Sequence, residues 1–261
     1  MEGLRARCRA VGFDPDAARG SLVDRMRLLA EVSHTFDDAS RMADHAERVF
    51  RHVDATRPSK PFDAVERQTV VLGCLFSDIG KTGPEGADVG TRRIVAEAFA
   101  VENVKDDRQS FATFVRASFP ADAEPRLARL AAIGVPPSIT LRQFWNLHTG
   151  WTLAIAEAAG LPAEAVGAAA AHHLLEDVNP ESIVGEDDRF TRPFGRNATF
   201  DRAEKLVILL DKYDASMRRG GRSHEDAILW LRDRLASSAR FFDDEEFVGL
   251  LRDVEVALAP T

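Results

Sequence analysis

Six residues of this chain have side chains that commonly bind metal ions. They are four histidines and two aspartates, spread along the sequence: His45, His148, His172, His173, Asp78 and Asp211. The histidines fall in segments with mostly apolar neighbours, and each aspartate follows an apolar run. Imidazole and carboxylate groups are the usual ligands of borderline and hard divalent ions. A single buried histidine is more often a hydrogen-bonded core residue, but six metal-binding side chains on five predicted helices together favour a metal site in a helical bundle.

The stretch 76–83 places an acid, a glycine and a lysine directly after an apolar run that begins at Thr69. A carboxylate and an ammonium at the end of a buried helix are costly unless they pair or bind a charged group. Two interpretations are therefore open: a local Asp78–Lys81 ion pair, or part of a binding site. We expect Gly80 to end the helix, because glycine tolerates positive φ.

Helices must position these residues, because helical periodicity dominates the chain and alternating strand patterns are nearly absent. The sequence therefore predicts an all-α fold. We expect N-terminal helices in residues 1–36 to pack on a domain of residues 37–261. Within that domain, residues 84–135 contain no histidine or cysteine and are expected to form a helical insertion. The helices expected to position the site cover about 37–54, 62–77, 140–159, 163–176 and 199–217.

The overall composition excludes several classes of function. The 261 residues include 34 Lys and Arg against 42 Asp and Glu, a net charge of −8, so general nucleic-acid binding is not expected. Cys8 and Cys74 are far apart in sequence, which favours a reducing compartment over a disulfide framework. No segment approaches the roughly 20 apolar residues of a membrane span, and the N-terminus has no apolar signal core. We expect a cytoplasmic protein without a membrane partner, and the sequence does not indicate its oligomeric state.

The order and context of these residues resemble the HD superfamily of metal-dependent phosphohydrolases, and most closely its HD-GYP branch. The resembling segments, in chain order, are His45-Ala46-Glu47-Arg48-Val49, Ser77-Asp78-Ile79-Gly80-Lys81-Thr82-Gly83, residues 139–150 around His148, His172-His173, Leu209-Leu210-Asp211-Lys212-Tyr213-Asp214-Ala215 and Ser223-His224-Glu225-Asp226-Ala227. The match covers about residues 37–83 and 136–250. It implies a multi-helix HD-type bundle and a phosphodiesterase that hydrolyses a nucleotide or cyclic dinucleotide by a metal-activated hydroxide. Linear nucleotides fit as well as cyclic dinucleotides.

The resemblance also implies a role for each metal-binding side chain. Asp78 would bridge two ions. The second ion would be completed by His148, His172 and His173, and the first would be bound by His45 and Asp211. The ions would be divalent transition metals such as Fe or Mn, one or two per chain.

The expected partner is a phosphate-containing small molecule. Lys81 would contact its phosphate or assist the leaving oxygen, so that Asp78 and Lys81 are the expected catalytic residues. Arg41 and Arg219 are further candidates for binding the substrate phosphate.

The sequence departs from the family pattern at several places. Ser77 stands where the family has the histidine of its His-Asp pair, and a serine hydroxyl is a poor ligand for such an ion. Arg41 stands where many members have an acid one turn before the first histidine, which argues against a third ion. The Gly-Tyr-Pro signature is missing after His173, and residues 84–135 are longer than the usual connection.

Three interpretations are therefore open. The first is a divergent phosphohydrolase that keeps at least the ion bound by Asp78, His148, His172 and His173. The second is a degenerate, non-catalytic module that binds a metal or nucleotide and signals through partners, and Ser77 is its main support. The third is a di-iron oxygenase, which would need both ions and is disfavoured by the same serine.

Overall fold

The protein is known from a computed structural model that describes residues 1–176, 202–218, 220–238 and 241–260. Its α-helices are α1 Glu2–Ala10, α2 Leu22–Val32, α3 Thr35–Thr56, α4 Ala64–Phe76, α5 Val89–Phe99, α6 Phe111–Ser118, α7 Ala123–Ala132, α8 Leu141–Ala159, α9 Ala163–Ala170, α10 Arg202–Arg218, α11 His224–Ser237 and α12 Glu245–Leu258. Short 3-10 turns occupy Ile79–Thr82 and Leu174–Glu176. No strand forms within the described ranges, so the predicted all-α fold is confirmed.

Helix α4 lies at the centre of the bundle and packs against α3, α9 and α10. It begins with a capping box, in which the side chains of Asp63 and Glu66 each accept a hydrogen bond from the other residue's backbone. Every residue from Thr69 to Phe76 is buried. A Cβ on Gly73 would lie 2.9 Å from side-chain atoms of Ala168 and Val207, so a glycine here lets three helices approach closely. The apolar run therefore ends inside the protein, next to the expected site.

Helix α8 agrees with the predicted range 140–159. Its first turn is capped by Thr140, whose hydroxyl accepts a hydrogen bond from the backbone N–H of Gln143. The helix ends at Gly160, which has the left-handed conformation. It packs against α9 and against the Ile79–Thr82 turn. This contact brings the middle of α8 next to the residues that follow α4.

Helix α9 is shorter than the predicted range 163–176, because it ends at Ala170. His172 and His173 lie in the turn that follows, and their ring centroids are 4.3 Å apart. The prediction that both histidines lie within a helix of residues 163–176 is therefore wrong. The loop predicted for residues 177–197 lies outside the described residues.

The remaining helices surround this centre. The region 84–135 contains α5, α6 and α7, and α5 packs on both α2 and the Ile79–Thr82 turn. Helix α1 packs on α4, and α2 packs on α3. No helix in the described part of the chain is long and apolar enough to cross a membrane.

A buried arginine of α2 holds the segment that follows Lys81. Arg25 is 2% exposed, and its guanidinium donates to the Thr82 hydroxyl at 2.7 Å and to the Gly83 carbonyl at 3.0 Å. It also donates to the carbonyl oxygens of Pro84 and Glu85, at 2.9 and 2.6 Å. These bonds give the buried charge its partners and fix the backbone of 82–85 against α2.

Candidate metal centre

A tight contact between the Ile79–Thr82 turn and α8 positions Asp78. A Cβ on Gly80 would lie 2.0 Å from the His148 carbonyl oxygen and 2.6 Å from the Thr152 backbone nitrogen. The Gly80 amide donates to the Thr152 hydroxyl at 3.0 Å. The positive φ expected at Gly80 is wrong, because Gly83 has that conformation, with φ of 83°. Gly80 is needed for close approach to α8, and that approach places Asp78 beside His148.

The hydrogen bonds of two buried histidines fix which ring nitrogen bears the proton. His148 Nδ1 faces the Trp145 carbonyl oxygen, and His172 Nδ1 lies 2.7 Å from the Ala169 carbonyl oxygen. A carbonyl oxygen only accepts, so each Nδ1 donates, and a ring in its neutral form then has a bare lone pair on Nε2. Burial lowers the pKa of His148, against the opposing effect of Asp78, which favours the neutral ring.

These lone pairs converge on one point with a carboxylate. The Nε2 atoms of His148 and His172 are 3.0 Å apart, and Asp78 Oδ1 lies 3.3 Å from the first and 3.6 Å from the second. Two neutral rings without a proton on Nε2 cannot form a hydrogen bond with each other, and a cation between these atoms would satisfy both lone pairs and the carboxylate. Metal–imidazole bonds of about 2.0–2.1 Å place two ligands at a right angle about 3.0 Å apart. The arrangement therefore fits a metal ion.

Asp78 interacts with a lysine through its other oxygen. Lys81 Nζ lies 2.6 Å from Asp78 Oδ2, and the lysine is 9% exposed. Burial would raise the pKa of Asp78, but Lys81, His148 and His172 outweigh it and lower that pKa well below its usual value. The sequence leaves open an Asp78–Lys81 ion pair or a role of Asp78 in a binding site. Both are possible together, because Oδ2 faces Lys81 and Oδ1 faces the histidines.

His173 extends the group, and two residues that sequence reasoning missed contact it. The ligand atoms of His148, His172 and His173 lie within 4.8 Å of one another. His173 Nδ1 contacts Glu176 Oε2 and lies 2.8 Å from Lys212 Nζ. Burial, together with Lys212, lowers the pKa of His173 to about 3, so its ring is neutral. The signal for Glu176 was its position three residues after His173, where a turn brings an acid back to the ring.

Lys212 joins several acids behind this histidine. Its Nζ lies 2.8 Å from Glu176 Oε2 and 2.9 Å from Asp211 Oδ2. Burial opposes its charge, but these carboxylates outweigh burial and raise the pKa of Lys212. The pKa of Asp211 is lowered in turn: burial would raise it, and the adjacent Lys212 ammonium is the main group that lowers it. Asp211 thus lies near the histidines, and its contact is with lysine.

A second group of charges consists of Asp38, Arg41, Asp214 and Arg218, and we call it the Asp38–Asp214 cluster. His45 lies beside it. Arg41 donates to Asp214 Oδ1 at 3.0 Å and also to Asp38. His45 Nε2 is 3.9 Å from Asp214 Oδ1, and its ring packs edge-on against Tyr213. The structure therefore brings together Asp78, His148, His172 and His173, and places His45 beside Asp214. Arg219 lies outside the described residues.

Ser77 is engaged within its own helix turn. It is 1% exposed, and its hydroxyl donates to the Cys74 carbonyl oxygen at 3.4 Å. Its backbone carbonyl accepts from the Thr152 hydroxyl at 2.8 Å. The hydroxyl is therefore used within α4, and the carbonyl ties the end of α4 to α8, which are structural roles.

A cavity of about 810 Å³ opens beside the histidines. Lys81, His148 and His173 are among its lining residues, together with cationic and aromatic side chains that include Arg142, Arg218, Trp145 and Phe99. Segments 32–35 and 99–104 also line it, so the N-terminal helices and the region 84–135 both shape the space. Volumes of about 300–1,000 Å³ are usual for sites that bind small molecules.

Comparison with known proteins gives no family for this chain. No protein-family model, no curated protein and no solved structure matches it. The resemblance to the HD superfamily accordingly stays a prediction.

Proposed function

We propose that this protein is a metal-dependent phosphohydrolase, a phosphodiesterase that acts on a nucleotide or cyclic dinucleotide. The observation that supports this most is the convergence of Asp78 Oδ1 with the bare Nε2 atoms of His148 and His172, in a group that reaches the wall of a cavity also lined by Lys81. A divalent transition metal such as Fe or Mn, held by these atoms, would supply an activated water nucleophile and neutralise phosphoryl charge.

The cavity supplies groups for the rest of the substrate. Lys81 binds a phosphate oxygen, because its ammonium is held beside the metal-binding carboxylate and lines the same space. Arg142 and Arg218 add positive charge to the walls, and Trp145 offers an aromatic surface for a base. Each of these arginines already pairs with an acid, Arg142 with Asp107 and Arg218 with Asp38. The guanidinium of Arg41 is engaged in the same way by Asp38 and Asp214, and Arg41 stays a further candidate for binding the phosphate.

A non-catalytic module that binds a metal or nucleotide and signals through partners is the second candidate. The hydrogen bond from the Ser77 hydroxyl to the Cys74 carbonyl favours it, because the side chain in the position of a family metal ligand is used in a bond to the backbone. A di-iron oxygenase has less support, since it would need ligands for two ions.

The test is a hydrolysis assay of the full chain after metal removal and reloading with Mn²⁺ or, without oxygen, Fe²⁺. Cyclic dinucleotides, linear dinucleotides and mononucleotides are offered, and products are separated by chromatography. We expect chelator-sensitive hydrolysis that is lost in His172→Ala and kept in His52→Ala, a histidine on α3 whose Nε2 faces Asp253 at 3.7 Å. Metal and nucleotide binding without turnover would identify the non-catalytic module instead.

We also infer a reducing, cytoplasmic location. Its support is that Cys8 and Cys74 are both buried free cysteines, and that burial raises the pKa of Cys8 to about 12. Such thiols are protonated and unreactive, which suits a role in packing. Fractionation of cells that express the chain with a tag tests the location.

A further inference from the structure

Lys212 is an ammonium buried among residues of the metal centre. The residue is 3% exposed, and its Nζ lies within 2.9 Å of Asp211 Oδ2, Glu176 Oε2 and His173 Nδ1. A lysine in such a position is a fixed monovalent cation among acids. The ammonium and its acidic partners stabilise one another's charge, which would be costly to bury unpaired.

The other positions at which the family would supply ligands for an additional ion are also engaged. The Ser77 hydroxyl donates to Cys74, and His45 lies against Tyr213 and beside Asp214. Asp211 is paired with Lys212. Bare acceptors that face one another occur instead at Asp78, His148 and His172, as shown above.

The formal charges of the site nearly balance when one divalent ion is bound. Asp78, Asp211 and Glu176 bring three negative charges, and Lys81 and Lys212 bring two positive ones. One divalent ion gives a slight positive excess, which suits an anionic substrate. A second divalent ion would add two further charges beside two buried ammonium groups, and like charges in a buried site repel strongly.

We propose that Lys212 takes the electrostatic place of a second metal ion, so that the chain binds one divalent ion, at His148, His172 and Asp78. The inference rests on the metal centre of the proposed function. Lys212 is then a positioning residue, which holds Glu176 against His173 and neutralises Asp211.

The experiment is a count of bound metal in the full chain. The apo protein is titrated with Mn²⁺, and the stoichiometry is read by native mass spectrometry and by elemental analysis after gel filtration. Wild type is compared with Lys212→Met, Lys212→Arg and Lys205→Met. Lys205 is a matched control, because it lies on the same helix, is 7% exposed and pairs with Asp244 and Glu246.

We expect one Mn²⁺ per chain in wild type, Lys212→Arg and Lys205→Met, and two in Lys212→Met, where Asp211 and Glu176 have lost their cation. Two ions in wild type, or one in a folded Lys212→Met, would overturn the inference. Should Lys212→Met not fold, Lys212→Gln replaces it with the same two outcomes.

The outcome also separates this inference from the proposed function. No bound ion in wild type would remove both. One ion without hydrolysis would keep the inference and reject the phosphodiesterase.

Discussion

Two groups of charged side chains, the candidate metal centre and the Asp38–Asp214 cluster, border the same cavity, and they differ in how donors and acceptors balance. In the metal centre, Asp78 Oδ1 and the Nε2 atoms of His148 and His172 are acceptors that face one another. In the Asp38–Asp214 cluster, each carboxylate meets an arginine: Asp214 accepts from Arg41, and Asp38 accepts from Arg41 and Arg218. The first group leaves three acceptors that a bound cation could satisfy, whereas each carboxylate of the second group already accepts from an arginine.

The difference teaches that residue type alone does not define a site. Asp38 is 6% exposed and as buried as a ligand would be. Burial raises its pKa, and the two arginines oppose that effect. With that compensation the carboxylate has no unmet need for a metal.

The largest effect is expected from Gly80→Ala, which disturbs only the metal centre. A Cβ would lie 2.0 Å from the His148 carbonyl oxygen, so the turn must move away from α8 and take Asp78 with it. We expect a loss of about 3 kcal/mol or more in the free energy of unfolding, and a weaker metal site. Urea unfolding and Mn²⁺ titration measure both.

Gly86→Ala is the control for this change, since a Cβ there meets nothing within 4 Å. It should leave stability and metal binding nearly unchanged. Equal effects of the two substitutions would show that the close approach of Gly80 is unimportant.

Replacing histidines in the two groups separates them by metal affinity. His172→Ala removes one of three converging acceptors. Loss of a residue that only hydrogen-bonds a metal ligand typically weakens metal binding by roughly 10- to 100-fold, and we expect His172→Ala to weaken Mn²⁺ binding by more than that. His45→Ala, beside Asp214, should change the affinity less than about 3-fold. Calorimetric titration measures both, and similar losses would place His45 in the metal centre.

Arg41→Gln should damage the Asp38–Asp214 cluster and spare the metal centre. It leaves two buried carboxylates short of a partner, and because Arg41 itself is partly exposed we expect a loss of about 2 kcal/mol in unfolding free energy. Adding Asp38→Asn should recover part of that loss. A purely additive double variant would argue that Arg41 and Asp38 do not stabilise each other.

The metal centre should also be the acid-sensitive region. His173 has a folded-state pKa of about 3, against an unfolded value of about 6.5. Below pH 6.5 the unfolded chain therefore binds the proton and the folded one does not, so stability falls as pH drops from about 6.5 towards 3, by up to about 1.4 kcal/mol per unit. Urea titrations of the metal-free chain across this range should show a slope that is smaller in His173→Gln.

The smallest effect is expected from Ser77→Ala. It removes one neutral hydrogen bond to Cys74, which is worth about 1 kcal/mol or less. The Mn²⁺ affinity should not change. A clear loss of metal binding would mean that the Ser77 hydroxyl contributes to the site.

Much of this arrangement could be predicted from sequence. Helical periodicity predicted the fold, and apolar neighbours predicted that His148 is buried. The side of α3 that His45 faces could not be predicted, because it depends on how α3 packs on α10 and on Asp214 as a competing partner. The reason for Gly80 was equally hidden, since it lies in the His148 and Thr152 backbone of a distant helix.

The Arg25 clamp links the N-terminal helices to the chemistry of the centre. Because Arg25 holds the backbone of residues 82–85, the segment directly after Lys81 can loosen only when α2 leaves its place. A shortened chain that begins at residue 37 would lose this restraint. In the intact chain, residues 1–36 therefore restrain the backbone beside the lysine at the cavity wall, and a displacement of α2 would be transmitted to Lys81.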